Sequence, residues 1–325
     1  MVTTVNQYIV GVDFGSTNLK AGVCDTDGRL LSFVRQPTHA REGASSVVGR
    51  IADVVVKAIE ESDQPGEEIA GVVIGACGLV NRQTGYFVSS SVMPTWREVP
   101  LAESVSRAVE LPVILDNDAN AAIFGEWWTG VARGMHNVVG MTLGTGIGGG
   151  AILNGRLFHG SSDNAAEFGH MTVDPDGPRC FCGNRGCLGL LAGAAGMVQR
   201  CAEQIRQGRS SILAVQVNGE RVTLTAQAVY EAAVAGDDLA DKIVAQTGKY
   251  LGIGTANLLN CFNPDMVVFT GGMTRMGKRL LSIIREEARK RTYPPIYEAA
   301  QIEFGQLGDE AGVVGAAGIW NQLRK

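Results

Sequence analysis

The chain has 325 residues, of which 45% are hydrophobic, and a formal net charge of −5. This length accommodates two domains of ordinary size, and the hydrophobic fraction is enough for a full core. The acidic balance argues against a nucleic-acid partner, because contacts to a phosphate backbone require clustered lysine and arginine. No apolar run approaches the roughly 20 residues of a membrane span. The residues before Tyr8 lack the basic and apolar regions of a signal peptide.

The cysteines predict the cellular compartment. There are seven, an odd number, and several occur singly in apolar or helical stretches. These are Cys24, Cys77, Cys201 and Cys261. Isolated cysteines of this kind are usually small core residues of proteins from a reducing environment. We therefore expect a soluble, cytoplasmic protein with no membrane partner.

In chain order, the predicted elements alternate between strands and helices. Short β-rich segments predict strands over 8–13, 18–24, 30–35, 69–76, 112–116, 137–143, 149–153, 266–270 and 301–304. Helices are predicted over 45–63, 119–129, 239–259, 278–291 and 312–323. Mixed strands followed by helices, twice over, indicate an α/β protein of two related halves. We place the domains at 1–117 and 118–325, with the terminal helix, 312–325, able to pack back on the first domain.

Two glycine-rich turns each follow an apolar strand. Around the first stand Asp13, Gly15, Ser16, Thr17, Asn18 and Lys20; around the second stand Gly144, Thr145, Gly146 and Gly148. Glycine beside a hydroxyl allows backbone N–H groups to approach and hold a phosphate. Taken singly, each turn is equally well explained as an ordinary glycine-rich hairpin. As a pair, with the carboxylate of Asp13 beside the first, they favour a phosphotransferase that binds one nucleotide between its halves.

A third signal lies at the predicted hinge, where a strand ends in polar side chains. Asp116, Asn117, Asp118 and Asn120 follow the strand directly, and ligands of open α/β sheets bind beyond such strand ends. Asp118 is also well placed to cap the next helix, which is the commoner role of an aspartate at a helix start. A phosphotransferase, however, needs a carboxylate to accept a hydroxyl proton. Asp118 is therefore the candidate general base.

The fourth signal is a dense group of cysteines. Cys180, Cys182 and Cys187 lie in the run C-F-C-G-N-R-G-C, and His170 precedes it. Three thiolates and one imidazole complete the closed tetrahedral site that is typical of structural zinc. A disulfide is the alternative, and the inferred compartment disfavours it. We expect these residues to bind zinc.

Together these motifs resemble the ROK family of sugar kinases, within the actin–hexokinase–Hsp70 superfamily. D-F-G-S-T-N-L-K is similar to the first phosphate motif of the family, L-G-T-G-I-G-G-G to the second, and V-F-T-G-G-M to the adenosine motif. E-F-G-H followed by C-x-C-G-x-x-G-C is the most diagnostic part, and L-G-D-E-A-G-V-V-G-A-A resembles the C-terminal segment. The resemblance runs from Tyr8 to about Leu323. It implies a two-lobed actin-like ATPase (ribonuclease H-like) fold with a nucleotide and sugar cleft between the lobes.

The resemblance also implies roles for single residues. Those implied in sugar binding are Asn117, Asp118, Glu167, His170 and Gly78. Those implied in ATP and phosphate binding are Asp13, Gly15, Ser16, Thr17, Asn18, Lys20, Gly144, Thr145, Gly146, Gly148, Gly271 and Gly272. Asp118 is the implied general base, and Asp13 is expected near Mg²⁺. His170, Cys180, Cys182 and Cys187 are the implied ligands of a structural Zn²⁺, which would brace His170 against the sugar.

The implied activity is ATP-dependent phosphorylation of a hexose, with the 6-hydroxyl of a glucose-type sugar as the leading acceptor. N-acetylhexosamines and fructose are alternative substrates, and polyphosphate stays open as a donor. A non-catalytic sugar sensor is the alternative of another class. Repressors of the family carry a helix-turn-helix before the first phosphate motif, where this sequence has a few residues without a basic stretch. We expect a homodimer or a dimer of dimers.

Two positions depart from the family pattern. The family has C-x-E after the last cysteine, and its glutamate binds sugar hydroxyls, whereas this chain has Gly189 there. In the loop before Trp96 the family commonly has an asparagine, and here Val92 takes its place in the stretch 91–96. Loss of one charged acceptor costs about 1.5–3 kcal/mol of binding. We therefore expect low affinity for plain glucose and room for a bulkier substituent beside the C1–C2 edge.

Overall fold

A computed structural model describes residues 7–90, 92–218 and 221–323. Its strands are β1 Tyr8–Phe14, β2 Asn18–Asp25, β3 Val34–Pro37, β4 Ile69–Ala76, β5 Leu79–Asn81, β6 Tyr86–Ser89, β7 Arg97–Val99, β8 Val113–Asn117, β9 Val138–Leu143, β10 Ile147–Leu153, β11 Arg156–Leu157, β12 Val217–Asn218, β13 Arg221–Val222, β14 Met266–Thr270 and β15 Gln301–Phe304. Its α-helices are α1 Ala44–Glu61, α2 Leu101–Val109, α3 Asp118–Trp128, α4 Leu188–Ala192, α5 Ala194–Arg206, α6 Ala226–Val234, α7 Asp238–Phe262, α8 Gly277–Arg289, α9 Pro294–Ala299 and α10 Ala311–Leu323.

The chain divides into two compact units. Unit 1 comprises Met1–Met135, Gly150–Ala165 and Gln306–Lys325, and unit 2 comprises His136–Gly149 and Ala166–Gly305. These limits fall elsewhere than the domain limits predicted at 117 and 118, because α3 packs against α10 and the strand end it follows, within unit 1. The predicted limits stay a prediction of how the chain divides in function.

Two five-stranded sheets have the same order of strands. The first is β3-β2-β1-β4-β8 and the second is β11-β10-β9-β14-β15. In the first, β1 pairs antiparallel with β2 and parallel with β4, which pairs parallel with β8. In the second, β14 pairs parallel with both β9 and β15. Each glycine-rich turn joins the first two strands of its sheet, as the prediction of two related halves requires.

The core of unit 1 packs helices closely against both faces of its sheet. Every residue of β4 is buried, so this strand is covered on both faces. On one face, α1 contributes an apolar stripe that includes Val47, Ile51 and Val55. On the other, α10 approaches so closely that a Cβ on Gly11 would lie 1.9 Å from the carbonyl oxygen of Val313. Helix α3 is held in the same way, since a Cβ on Gly315 would lie 1.6 Å from the Ala121 carbonyl oxygen.

Several elements differ from the sequence prediction. The strand predicted over 30–35 is interrupted. Leu30 forms an isolated bridge with Cys24, and the regular strand begins at Val34. Between them the Ser32 hydroxyl accepts from the Val23 amide (3.1 Å) and donates to the Ala58 carbonyl (2.6 Å). The small sheet β5-β6-β7 and helices α2, α5 and α6 were not predicted. Among the described residues, no helix combines the length and apolar character needed to cross a lipid bilayer.

Candidate active site and metal cluster

In unit 1 the candidate catalytic carboxylates lie at the ends of two strands, β1 for Asp13 and β8 for Asp118, which both pair parallel with β4 between them. The register pairs Asp13 with Gly75 and Gly75 with Asp116, so the carboxyl ends of β1, β4 and β8 lie at one edge of the sheet. Cys77 lies at this edge, and burial together with the charges of Asp118 and Asp13 raises its pKa well above the ordinary value. The charges of Asp13 and Asp118 both raise the pKa of the same thiol, as expected of carboxylates that share a site.

The start of α3 separates the two roles considered for Asp118. Asn117, not Asp118, caps the helix: its Oδ1 accepts from the amides of Ala119 (2.9 Å) and Asn120 (3.2 Å). Asp118 is the first helical residue, where the partial positive charge of the helix start stabilises a carboxylate. The capping role considered for Asp118 is thus filled by its neighbour. The Asn117 Nδ2 also donates to the Gly78 carbonyl at 3.4 Å, which brings two predicted sugar-binding residues together.

The first glycine-rich turn is held by a residue that the sequence did not point to. The hydroxyl of Thr38 donates to the Gly15 carbonyl (2.7 Å), and its amide donates to the Thr17 carbonyl (2.9 Å). Lys20 forms an ion pair with Asp13 at 3.0 Å, and the side chain of Asp13 is partly exposed. The turn therefore places a cation and a carboxylate beside backbone N–H groups, an arrangement suited to a metal–phosphate group.

The second glycine-rich turn lies in unit 2 and is exposed at Gly144, Thr145 and Gly146. Its backbone closes by a bond from the Gly144 amide to the Gly146 carbonyl at 3.0 Å. The start of α5 supports it from behind, because the amides of Ala194 and Ala195 donate to the carbonyls of Gly144 and Thr145. The amides of Gly144 and Gly148 donate within the turn, the second to the Thr142 hydroxyl at 3.2 Å, so the exposed residues Thr145 and Gly146 are the candidates for holding an anion.

The predicted adenosine motif lies against the end of β9, the strand that leads into the second glycine-rich turn. Gly271 has φ +95°, and a Cβ there would lie 2.7 Å from the Leu143 carbonyl oxygen, directly before the second turn. Thr274 donates from its hydroxyl to the Gly271 carbonyl at 2.7 Å. Unit 2 thus brings together the predicted ATP-binding residues at 144–148 and 271–272.

We expect Gly271→Ala to raise the KM for ATP about tenfold and to leave the KM for sugar unchanged. A side chain at this backbone conformation costs about 1–3 kcal/mol and displaces the motif from β9. Steady-state kinetics over both substrates measure this. The matched control is Gly43→Ala, since Gly43 has nearly the same conformation (φ 91°, ψ 167°, against 95° and 172°) with nothing within 4 Å of its added Cβ. An equal rise in both variants would contradict the assignment.

Glu167 and His170 bracket a short helical turn, Phe168–His170, in unit 2. The turn packs tightly on β10, since a Cβ on Gly169 would lie 2.0 Å from the Ile147 carbonyl oxygen. Partial burial raises the pKa of the Glu167 carboxyl, and the charge of His170 opposes this shift. The two predicted sugar-binding side chains therefore lie within electrostatic reach of each other and next to the second glycine-rich turn.

The predicted metal ligands form one cluster in unit 2. The Nδ1 of His170 lies 3.8 Å from the Sγ of Cys180, and the Sγ atoms of Cys182 and Cys187 lie 3.7 Å apart. All four donor atoms lie within 4.8 Å of one another. Ligands of a tetrahedral zinc ion stand roughly 3.5–3.8 Å apart, so the donor set and spacing fit this metal. All seven cysteines are free thiols, and burial with neighbouring thiols raises the pKa of Cys187 to about 12 in the absence of metal.

A buried polar network lies beneath the candidate base, and the sequence analysis missed it. Asp116 is fully buried, and its Oδ2 lies 3.0 Å from the Nε of Arg82 and 2.8 Å from the Nε2 of His159. Its Oδ1 accepts from the Asn117 amide (2.8 Å) and the Asn120 Nδ2 (3.0 Å). Burial opposes ionisation, but His159, Arg82 and Asn120 together hold the pKa of Asp116 below its ordinary value. Asp116 is therefore an ionised, fully partnered carboxylate.

The chain is similar to known proteins over nearly its whole length. The ROK family model matches residues 9–323. The chain belongs to the ROK family. It is 36% identical to the glucokinase of Halalkalibacterium halodurans over 98% of this chain and 96% of that protein. The crystal structure of a ROK family glucokinase from Streptomyces griseus, in complex with glucose and AMPPNP, is 34% identical, with a TM-score of 0.81 over 97% of this chain and 99% of that one.

A regulator is also among the relatives. The xylose repressor of Bacillus subtilis is 29% identical over 96% of this chain, which spans 76% of that protein. The structural matches confirm the predicted α/β actin-like ATPase (ribonuclease H-like) fold, and the repeated strand order of the two sheets agrees with it. The chain is a ROK sugar kinase by its relatives.

Gly189, which replaces the ROK glutamate, lies beside the turn that carries His170. A Cβ at this position would lie 3.2 Å from the Gly169 carbonyl oxygen and 3.4 Å from the Ile147 amide, so a side chain fits with a small adjustment. Val92 is 48% exposed and contributes little to the core. Trp96 is a core residue, with its ring 5.5 Å from that of Phe14. Ser91, in the same stretch, lies outside the described residues.

Proposed function

We propose that this chain is a glucokinase that transfers the γ-phosphoryl group of ATP to the 6-hydroxyl of glucose. The observation that carries the proposal is the 36% identity to a curated glucokinase over 98% of the chain. The structure supports it, because Asp118, Asp13 and the first glycine-rich turn lie in unit 1, and the predicted ATP-binding residues at 144–148 and 271–272 lie together in unit 2. ATP and glucose are then the substrates. The experiment below also tests the other sugars named for the family and polyphosphate as the donor.

In this proposal Asp118 is the general base. It accepts the proton of the sugar hydroxyl while that oxygen bonds to the γ-phosphorus, and the bond from phosphorus to the bridging oxygen of the departing ADP breaks. Asn117 is proposed to orient the acceptor: its Oδ1 is used by the helix cap, its Nδ2 donates to the Gly78 carbonyl, and the second N–H of Nδ2 would donate to a sugar hydroxyl. Glu167 and His170 bind other hydroxyls of the ring.

The glycine-rich turns hold the phosphates. Backbone N–H groups around Gly15 and Gly144, with the hydroxyls of Thr17 and Thr145, bind the phosphate oxygens, and Lys20 adds a positive charge. The partly exposed carboxylate of Asp13 is the oxygen donor that Mg²⁺ prefers. When bound, Mg²⁺ neutralises charge that develops on the transferred group.

We further propose that the cluster of His170, Cys180, Cys182 and Cys187 binds one structural zinc ion. The Nδ1 of His170 faces the thiols, which places its Nε2 on the opposite side of the ring. With Nδ1 on a metal, His170 would keep one tautomer and one ring orientation, and its Nε2 would donate to a sugar hydroxyl. The cluster would then support substrate binding through His170.

The deciding experiment measures phosphoryl transfer over a panel of donors and acceptors. The donors are ATP and polyphosphate, and the acceptors are glucose, mannose, fructose, glucosamine, their N-acetyl forms and xylose, the last because of the repressor relative. We expect ATP with glucose, or with a glucose analogue that bears a C2 substituent, to give the highest kcat/KM. Sugar binding without transfer above background would identify a sensor and overturn the proposal.

Gly189 is the residue with which we test sugar specificity. We expect Gly189→Glu to lower the KM for glucose by about one order of magnitude, the value of one charged hydrogen bond. Gly189→Ala is the matched control, because it adds the Cβ beside Gly169 without the carboxylate. If the glutamate variant folds, keeps its metal and shows an unchanged or lower kcat/KM for glucose, Gly189 does not face the sugar.

The cytoplasmic location and the dimeric or tetrameric assembly stay predictions. Sedimentation velocity at several protein concentrations measures the assembly directly, and a monomer at micromolar concentration would contradict the expected dimer.

A further inference from the structure

The carboxylate of Asp116 has no role in the transfer step described above, yet it is fully buried directly before the Asn117–Asp118 pair. Its two oxygens have separate tasks. Oδ2 contacts Arg82 and His159, and Oδ1 accepts from the Asn117 amide and the Asn120 side chain. One carboxylate therefore connects outlying segments of unit 1 with the first turn of α3.

The contacts of Oδ1 lie on both sides of Asp118. The bond to the Asn117 amide fixes the residue before it, and the bond to Asn120 fixes the first helical turn after it. Asn117 in turn accepts from the amides of Ala119 and Asn120. The backbone that carries Asp118 is thus held at each neighbouring residue by a hydrogen bond that depends on the Asp116–Asn117–Asn120 arrangement.

The contacts of Oδ2 come from segments far away in sequence. Arg82 lies in the turn between β5 and β6, and His159 lies in the segment after β11. Asp163, in that same segment, lies 3.6 Å from Arg82. A buried ion pair usually adds little stability compared with apolar groups of the same shape. A gain in folding stability therefore does not explain why Arg82 and His159 are paired with Asp116. A fixed orientation of the Asp116 carboxylate does explain it.

We propose that Asp116, held by Arg82 and His159, is a positioning residue for phosphoryl transfer that aims the Asp118 carboxylate at the sugar hydroxyl. The proposal rests on the function proposed above. Reactions of this kind depend steeply on alignment, and a displacement of about 1 Å costs about 10²-fold in rate. Asp116 acts on kcat through Asp118 and makes no contact with the substrate.

The test is a double-mutant cycle between Asp116→Asn and Asp118→Asn, with kcat, both KM values and the melting temperature measured for each protein. Asp116→Asn alone is expected to lower kcat about 10- to 100-fold, with the KM for ATP changed less than about twofold. In the Asp118→Asn background the same change is expected to have no further effect on kcat, because the base it positions is absent. Any loss of melting temperature is expected to be equal in both backgrounds.

Two further variants keep the inference testable if Asp116→Asn folds poorly. His159→Ala removes one hold on Oδ2 and is expected to lower kcat about tenfold, and His159→Gln, whose amide reaches the position of Nε2, is expected to restore most of it. Glu126→Gln is the matched control, because Glu126 is as fully buried as Asp116, lies on α3 with Asp118, and accepts from the amides of Gln306 and Leu307. It is expected to lower the melting temperature with kcat within about twofold.

Additive losses in the cycle, or a kcat loss that merely follows the loss of melting temperature across all variants, would overturn the positioning role while leaving the kinase assignment intact. Absence of transfer by the wild-type protein with every donor and acceptor would instead overturn the proposed function, and the positioning role with it.

Discussion

Replacement of Asp118 by asparagine is expected to lower kcat for the best sugar by at least about 10²-fold, the usual contribution of a general base. The amide cannot accept the hydroxyl proton, but it has nearly the same shape. Its oxygen still accepts from the Ala119 amide, as Oδ1 of Asp118 does at 2.9 Å, and the cap on Asn117 is untouched. Fold and ATP affinity should therefore be retained.

The measurement is single-turnover phosphoryl transfer with saturating sugar and ATP, together with the melting temperature. Asp53→Asn is the control, because Asp53 is an exposed aspartate on α1 in the same unit. Near-complete turnover by the Asp118 variant would mean that another group accepts the proton, and the mechanism proposed here would then be wrong.

Loss of the metal cluster is expected to have the second large effect. We expect about one zinc ion per chain in the purified protein, and Cys187→Ser should remove it. Cys187 is fully buried and directly precedes α4, so its loss also frees the turn that carries His170. The KM for sugar is expected to rise about 10- to 100-fold, because the histidine ring loses its fixed orientation, while the KM for ATP changes far less.

Elemental analysis by mass spectrometry gives the zinc content, and kinetics over both substrates give the two KM values. Cys261→Ser is the control, since Cys261 is exposed and lies outside the cluster. A wild-type protein without metal, or with a disulfide between Cys182 and either neighbouring cysteine of the cluster, would contradict the assignment.

The parts of the site that the sequence predicted well are local in the chain. A glycine-rich turn between two apolar strands is encoded within a few residues, because glycine conformations and strand propensity are both short-range properties. The same holds for the cysteine run, whose ligands come from one stretch and its preceding histidine. The structure brings each of these predicted groups together: Gly144 to Gly148 with Gly271, and His170 with the three thiols.

The helix cap shows a choice that the local sequence left open. Asn, Asp and Ser are similar in their preference for capping positions, so the run Asp116–Asn120 offers several candidates that propensity cannot rank. The register of β8 decides the matter, because it ends the strand at Asn117 and leaves Asp118 as the first helical residue. The cap therefore lies on Asn117, and the role of general base stays the one proposed for Asp118.

The sequence by itself determined the α/β class, the repeated halves and the glycine-rich turns, since each rests on the chemistry of residues close together in the chain. Its assignments of the metal ligands and of Asp118 as the general base stay predictions. Only the tertiary structure decided that Arg82 and His159 meet on Asp116, and that Gly11 and Gly315 admit the backbone of α10 and α3. These contacts join residues distant in sequence, and they depend on how strands pair and helices pack. A linear pattern of residue types carries no signal for them, because a buried ion pair or a close backbone approach has a partner that the local sequence does not contain.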